Sequence, residues 1–117
     1  MTITVYGIRN CDTVKRARAW LVAHGIEHAF HDYKASGIDL ATLQRWVGEV
    51  GWERLVNRSG TTFRKLPEAE RAALDAAAAL ALMLAQPSVI RRPVLEGAGG
   101  LIVGFDAATY AARLARR

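Results

Sequence analysis

The residues Ile3-Thr4-Val5-Tyr6-Gly7-Ile8-Arg9-Asn10-Cys11-Asp12-Thr13-Val14 decide how the chain is read. Ile3 and Val5 alternate with their neighbours as a short strand, and Gly7 to Asn10 reads as the loop that follows. Val14, Ala17 and Leu21 then recur at three and four as one face of a helix, with Trp20 on its flank and Gly25 after His24 as a stop. Cys11 therefore falls between the end of a strand and the start of a helix. A thiol at that point meets unpaired backbone N–H groups and the positive end of the helix dipole, both of which favour the thiolate. Arg9, Lys15 and Arg16 add positive charge nearby and Asp12 opposes them. The competing reading of Cys11 is a small buried hydrophobe without chemistry.

Working outward, a second strand is predicted over 27–33, where Ile26, His28 and Phe30 alternate with Glu27, Ala29 and His31. The opening is thus βαβ. Asp39 is the expected N-cap of a helix carrying Leu40, Leu43, Val47 and Val50, which stops at Gly51. A helical turn over 52–56, a loop over 57–60 and a further turn capped by Thr61 or Thr62 come next. Pro67 suits the first position of another helix, which the alanine-rich run carries to Ala85 before Pro87 ends it. Residues 89–90, 94–95 and 101–103 read as short strands, the last two joined as a hairpin by Gly97-Ala98-Gly99-Gly100. Asp106 caps a last helix with Ala107, Tyr110 and Leu114 on one face. The expected class is α/β: a thioredoxin-like fold, βαβ plus ββα on a mixed sheet, with an all-helical insertion between the halves. Residues 1–117 are expected to form a single domain, its core at about 1–37 and 87–117 and its insertion at about 38–86.

Composition narrows the function classes. With 51% hydrophobic and 23% charged residues the chain has the balance of a globular protein. One cysteine excludes an internal disulfide framework. The longest apolar stretch, 72–85, is broken by Asp75 and falls short of the roughly 20 residues of a membrane span. The first residues carry no export signal, so a cytoplasmic protein with a reduced thiol is expected. The net charge of +5 is spread along the chain, which points away from direct nucleic-acid binding and permits an anionic ligand.

The missing second thiol is informative. Val14 occupies the fourth position of what would be a Cys-x-x-Cys pair, so a mixed disulfide at Cys11 must be resolved by an outside thiol, for which glutathione is the natural candidate. Asn10 and Thr13 can supply hydrogen bonds at the helix start. Arg91-Arg92-Pro93 places two guanidinium groups beside a strand, and arginine's fork suits anions; the sequence leaves open which of the two faces the thiol. His24, His28 and His31 lack a ligand set at metal spacing, so neither a metal nor a bound cofactor is expected.

Several separated motifs, in order, resemble one family: Tyr6-Gly7-Ile8, Asn10-Cys11-Asp12-Thr13, Phe30-His31-Asp32-Tyr33-Lys34, Gly60-Thr61-Thr62, Arg64-Lys65-Leu66, Arg91-Arg92-Pro93 and Val103-Gly104-Phe105. They are similar to the ArsC/Spx family of thioredoxin-fold proteins, and most closely to its YffB-type branch. The resemblance implies that Cys11 is the nucleophile, Arg92 the arginine facing an anion or glutathione, and Pro93 a cis-proline facing the cysteine. Arg58, in Asn57-Arg58-Ser59-Gly60, lies near the place where that branch carries a basic residue and is expected to help hold anionic groups. An arginine that arsenate reductases carry on the last strand is replaced here within Gly104-Phe105, and a histidine near their cysteine by Gly7. The implied activity is therefore a glutathione-dependent thiol–disulfide reductase, acting on a small anionic or disulfide substrate with glutathione or glutaredoxin as reductant, in preference to arsenate reduction. The alternative is an Spx-like regulatory protein that binds RNA polymerase without turnover, although Val14 removes the Cys-x-x-Cys switch of those regulators.

Overall fold

In a computed structural model that describes residues 2–114, the strand β1 (Ile3–Gly7) is flanked on both sides. It pairs in parallel with β2 (His28–Asp32), from Ile3 opposite His28 to Gly7 opposite Asp32. On its other side it pairs antiparallel with β3 (Val94–Glu96), which in turn pairs antiparallel with β4 (Ile102–Val103). The order β2-β1-β3-β4 gives a mixed four-stranded sheet, as the βαβ and ββα reading requires. The helix α1 (Asp12–Ala23) makes the crossover between the parallel strands, and α8 (Ala107–Leu114) follows β4.

The chain forms two compact units, with boundaries at Ser36/Gly37 and Arg91/Arg92. The sheet unit has one apolar cluster. Ile3 and Val5 from β1, Ala17 and Leu21 from α1, Leu95 from β3, Ile102 from β4, and Tyr110 and Leu114 from α8 are all buried together. Burying a side chain of Leu or Val size contributes about 1.5–3 kcal/mol, so this cluster is the main stabilising feature of the unit. Within it the Tyr110 ring meets Trp20 and Phe105 edge-on, yet its buried hydroxyl has no hydrogen-bond partner among the described residues. A buried unsatisfied hydroxyl costs about 1–3 kcal/mol. Tyr110→Phe is accordingly expected to leave stability unchanged or raise it by about 1 kcal/mol. A urea unfolding curve shifted to lower midpoint would contradict this.

The second unit is helical: α3 (Leu40–Val50), α4 (Trp52–Leu55), α5 (Thr61–Arg64), α6 (Glu68–Ala72) and α7 (Ala76–Ala85), with α2 (Tyr33–Ser36) belonging to the sheet unit. Asp39 caps α3 by accepting the Thr42 amide at 2.8 Å, and α3 packs on α7. Among the described residues no helix is long and apolar enough to cross a membrane.

Four local expectations are corrected. The helix expected from Pro67 to Ala85 is two, because Asp75 takes the Ala78 amide at 2.8 Å and starts α7 afresh after a break at 73–75. Side-chain capping there offsets the helix propensity of the alanines. Residues 89–90 are no strand: Pro87–Val89 is a 3-10 turn, and Ile90 makes only an isolated bridge with Val56. Gly60, and neither threonine, occupies the cap position of α5. Finally, β2 ends at Asp32, whose carboxylate takes the Lys34 and Ala35 amides and turns Tyr33 into α2.

Candidate functional site around Cys11

Cys11 is the N-cap of α1, in extended backbone geometry, and its carbonyl accepts the Lys15 amide at 2.9 Å as the first bond of the helix. Its side chain is partly exposed and makes no conventional cap hydrogen bond. The Val14 and Thr13 amides donate to the sulfur instead. Partial burial pushes the thiol pKa up, but the Val14 amide, the Arg92 side chain, the Thr13 amide and the Arg92 charge together hold it below the usual thiol value. The helix start acts as its position led one to expect, whereas the cation at the sulfur is Arg92 and not Arg9, Lys15 or Arg16, which the local sequence offered.

Arg92 is half-buried at the start of the segment leading into β3, and it hydrogen-bonds the sulfur. The Arg92–Pro93 peptide is cis and Pro93 is buried. Its carbonyl accepts the Gly104 amide at 2.8 Å, which ties the hairpin's far end to the site. Of the two arginines that the sequence left undecided, Arg92 is the one beside the thiol. Arg91 belongs to the helical unit, where its side chain is exposed and its amide bonds the Leu55 carbonyl at 2.7 Å. Arg58 lies in that unit too, exposed, its guanidinium 5.3 Å from the Trp52 ring centroid. Asn10 is exposed in the turn before Cys11, and Thr13 acts through its amide.

Two contributors were not singled out from sequence. Asp32 accepts the Arg9 amide at 3.2 Å as well as the two amides of α2, so one carboxylate joins the loop before Cys11 to the end of β2. Tyr33, fully buried, takes a hydrogen bond from the Arg92 side chain. The signal was present, since both stand in Phe30-His31-Asp32-Tyr33-Lys34, but periodicity assigned them to a strand and gave them no neighbour across the sheet.

Gly7 also acquires a reason. A Cβ there would lie 2.8 Å from a Val14 methyl group, so buried Val14 fills the space that a side chain at position 7 would take. Among the described residues, no three His, Cys, Asp or Glu side chains gather as a metal site would need.

The model of the ArsC family matches residues 6–113, nearly the whole chain. The chain belongs to the ArsC family. Among solved structures it is similar to the YFFB protein, at 57% identity and a TM-score of 0.91 over 96% of this chain and 98% of that one. It is also similar to an arsenate reductase (ArsC) related protein from Brucella melitensis, at 60% identity and a TM-score of 0.79 over 96% and 93%. An uncharacterized protein of Haemophilus influenzae is 44% identical over 97% of this chain and 99% of its own length. The global transcriptional regulator Spx of Streptococcus pyogenes is 26% identical over 97% and 86%. The ArsC-family chain is thus arsenate reductase-like with a thioredoxin-like fold, and the YFFB protein is among the structures it resembles.

Proposed function

We propose that this ArsC-family chain is a cytoplasmic, glutathione-dependent thiol–disulfide reductase in which Cys11 is the nucleophile. The observation that carries the reading is the convergence on one sulfur of two helix-start amides and the Arg92 guanidinium beside cis-Pro93. The Cys11 thiolate attacks the glutathionyl sulfur of a mixed disulfide. A new Cys11–glutathione disulfide forms, the old S–S bond breaks, and the substrate leaves as a thiolate that takes a proton from solvent. A second glutathione, as thiolate, then attacks the sulfur of the bound glutathione, releasing oxidised glutathione and regenerating the Cys11 thiolate. The net change is one substrate–glutathione mixed disulfide and one glutathione thiol converted to a substrate thiol and oxidised glutathione, so the incoming glutathione is the reductant and the glutathionyl group already on the substrate stays at the disulfide level. No internal thiol competes, because position 14 is valine. Arg92 holds charge on the sulfur and on the glutathione, and Arg58 is a further anion-holding candidate; glutaredoxin can stand in for the second glutathione. Arsenate is the less fitting substrate, since the last-strand arginine that the resemblance to arsenate reductases calls for is replaced within Gly104-Phe105.

The test is the pH dependence of Cys11 alkylation, with intact-mass detection of the product formed with oxidised glutathione. A midpoint below the ordinary value of about 8.5, with one glutathione added at Cys11, is the expected result. An ordinary midpoint with no adduct would reject catalysis through this thiol. The likeness to Spx would then favour the second reading, a regulatory protein whose partner is RNA polymerase, which a pull-down with polymerase subunits examines directly.

A further inference from the structure

The pairing of Cys11 with Arg92 leaves the buried polar group next to it, the Tyr33 hydroxyl, without an assigned task. Tyr33 is the first residue after β2 and is 0% exposed, although it carries a hydroxyl. That hydroxyl is not an orphan: Arg92 donates to it, and the same guanidinium donates to the Cys11 sulfur. The chain of groups is Tyr33 Oη, Arg92, Cys11 Sγ.

Burying a phenol without need is unfavourable, and a phenylalanine would fill nearly the same volume. What the hydroxyl adds is an acceptor. A guanidinium is a planar fork of five N–H donors on a flexible stem, and it directs its charge at one atom only when a second partner fixes its plane. Such a partner could be a carboxylate, but a carboxylate would form an ion pair and compete with the thiolate for the cation. A phenol that stays neutral does not. The charged groups facing Tyr33 are Arg92, Cys11 and Asp32. Burial drives the phenol pKa up, Arg92 opposes this, and Cys11 and Asp32 reinforce it, so the hydroxyl holds its proton more firmly than an ordinary phenol.

We propose that Tyr33 is a positioning residue: its buried phenol oxygen fixes the plane of the Arg92 guanidinium against the Cys11 sulfur while leaving the full positive charge to the thiolate. This rests on Cys11 being the reacting thiol, and the test keeps the two ideas apart. The readout is the midpoint of Cys11 alkylation against pH in wild type, Tyr33→Phe, Arg92→Gln and the double variant, with circular dichroism as a check of folding.

Tyr33→Phe is expected to raise the midpoint by roughly half a pH unit or more, and Arg92→Gln by more than that. In the Arg92→Gln background the loss of the hydroxyl is expected to have no further effect, because Tyr33 acts only through the arginine. An unchanged midpoint in Tyr33→Phe, or the same rise with and without Arg92, would overturn the proposal. A wild-type midpoint at the ordinary value would instead overturn the reading of Cys11 itself. If Tyr33→Phe loses its folded signal, wild type alone decides: a guanidinium held on both sides gives separate Nη proton signals for Arg92 in a nitrogen-15 spectrum, and averaged signals would overturn the proposal.

Discussion

Cys11→Ser is expected to reduce glutathione-coupled reduction of a mixed-disulfide substrate to the uncatalysed background while leaving the protein as stable as wild type or more so. The two halves of this result follow from different properties of one position. Serine differs from cysteine by one atom, but its hydroxyl is not ionised near neutral pH, so the amides of Thr13 and Val14 and the Arg92 guanidinium no longer have an anion to stabilise. No mixed disulfide can form on it. At the same time Cys11 is the N-cap of α1 and makes no conventional cap bond, whereas serine is among the preferred N-cap residues. A gain of about 0.5–1 kcal/mol in unfolding free energy is the expected size. The chain therefore carries, at the start of its longest helix, a residue that caps less well than the obvious alternative. That is a reason to seek its value in chemistry. Retained turnover in Cys11→Ser would remove Cys11 from the mechanism, and a drop in stability above about 1 kcal/mol would return it to the core, where the competing sequence reading had placed it.

How much of this was legible beforehand depends on the range of the interactions. The sheet was readable because β1, α1 and β2 are consecutive and each announces itself by period, and because Gly97, Gly99 and Gly100 join β3 to β4. Cys11 was readable because its distinguishing feature, the strand-to-helix junction, is local. The break at 73–75 was missed because alanine-rich composition outweighed one aspartate, although Asp75 caps the second of the two helices. Residues 89–90 looked like a strand because both are β-branched, but Pro87 opens a turn that includes Val89, and Ile90 makes only an isolated bridge with Val56. The choice between Arg91 and Arg92 could not be made from sequence, since adjacent residues differ only in the direction their side chains leave the backbone, and that is set by pairing 80 or more residues away. Tyr33 was hidden for the same reason: its partner Arg92 is remote in sequence and comes near only because β2 and β3 both flank β1.

That same topology makes the β1–β3 seam the place where a small change should do most harm. Gly97 follows β3 with φ at +102°, and a Cβ there would lie 2.1 Å from the Thr2 carbonyl oxygen and 3.2 Å from the Ile3 Cα. Both neighbours are backbone, and Ile3 is buried in the cluster, so the overlap is relieved only by moving β3 away from β1. Gly97→Ala is expected to destabilise the protein by about 2–4 kcal/mol, from the disfavoured conformation and the overlap together. Gly99→Ala separates the two causes. Gly99 has φ at +79° with nothing within 4 Å of the added carbon, so it should show the conformational cost alone, about 1 kcal/mol. Equal losses in urea unfolding would show that the seam yields freely. A larger loss at 97 also has a consequence for the site. Arg92 and Pro93 immediately precede β3 and Cys11 follows β1, so a β3 displaced from β1 carries the guanidinium off the sulfur. The folded fraction of Gly97→Ala should therefore alkylate at Cys11 with a midpoint moved up toward the ordinary thiol value, while Gly99→Ala keeps that of wild type. Unequal stability losses with identical midpoints would mean that the thiolate is held by the α1 amides alone and that Arg92 contributes little.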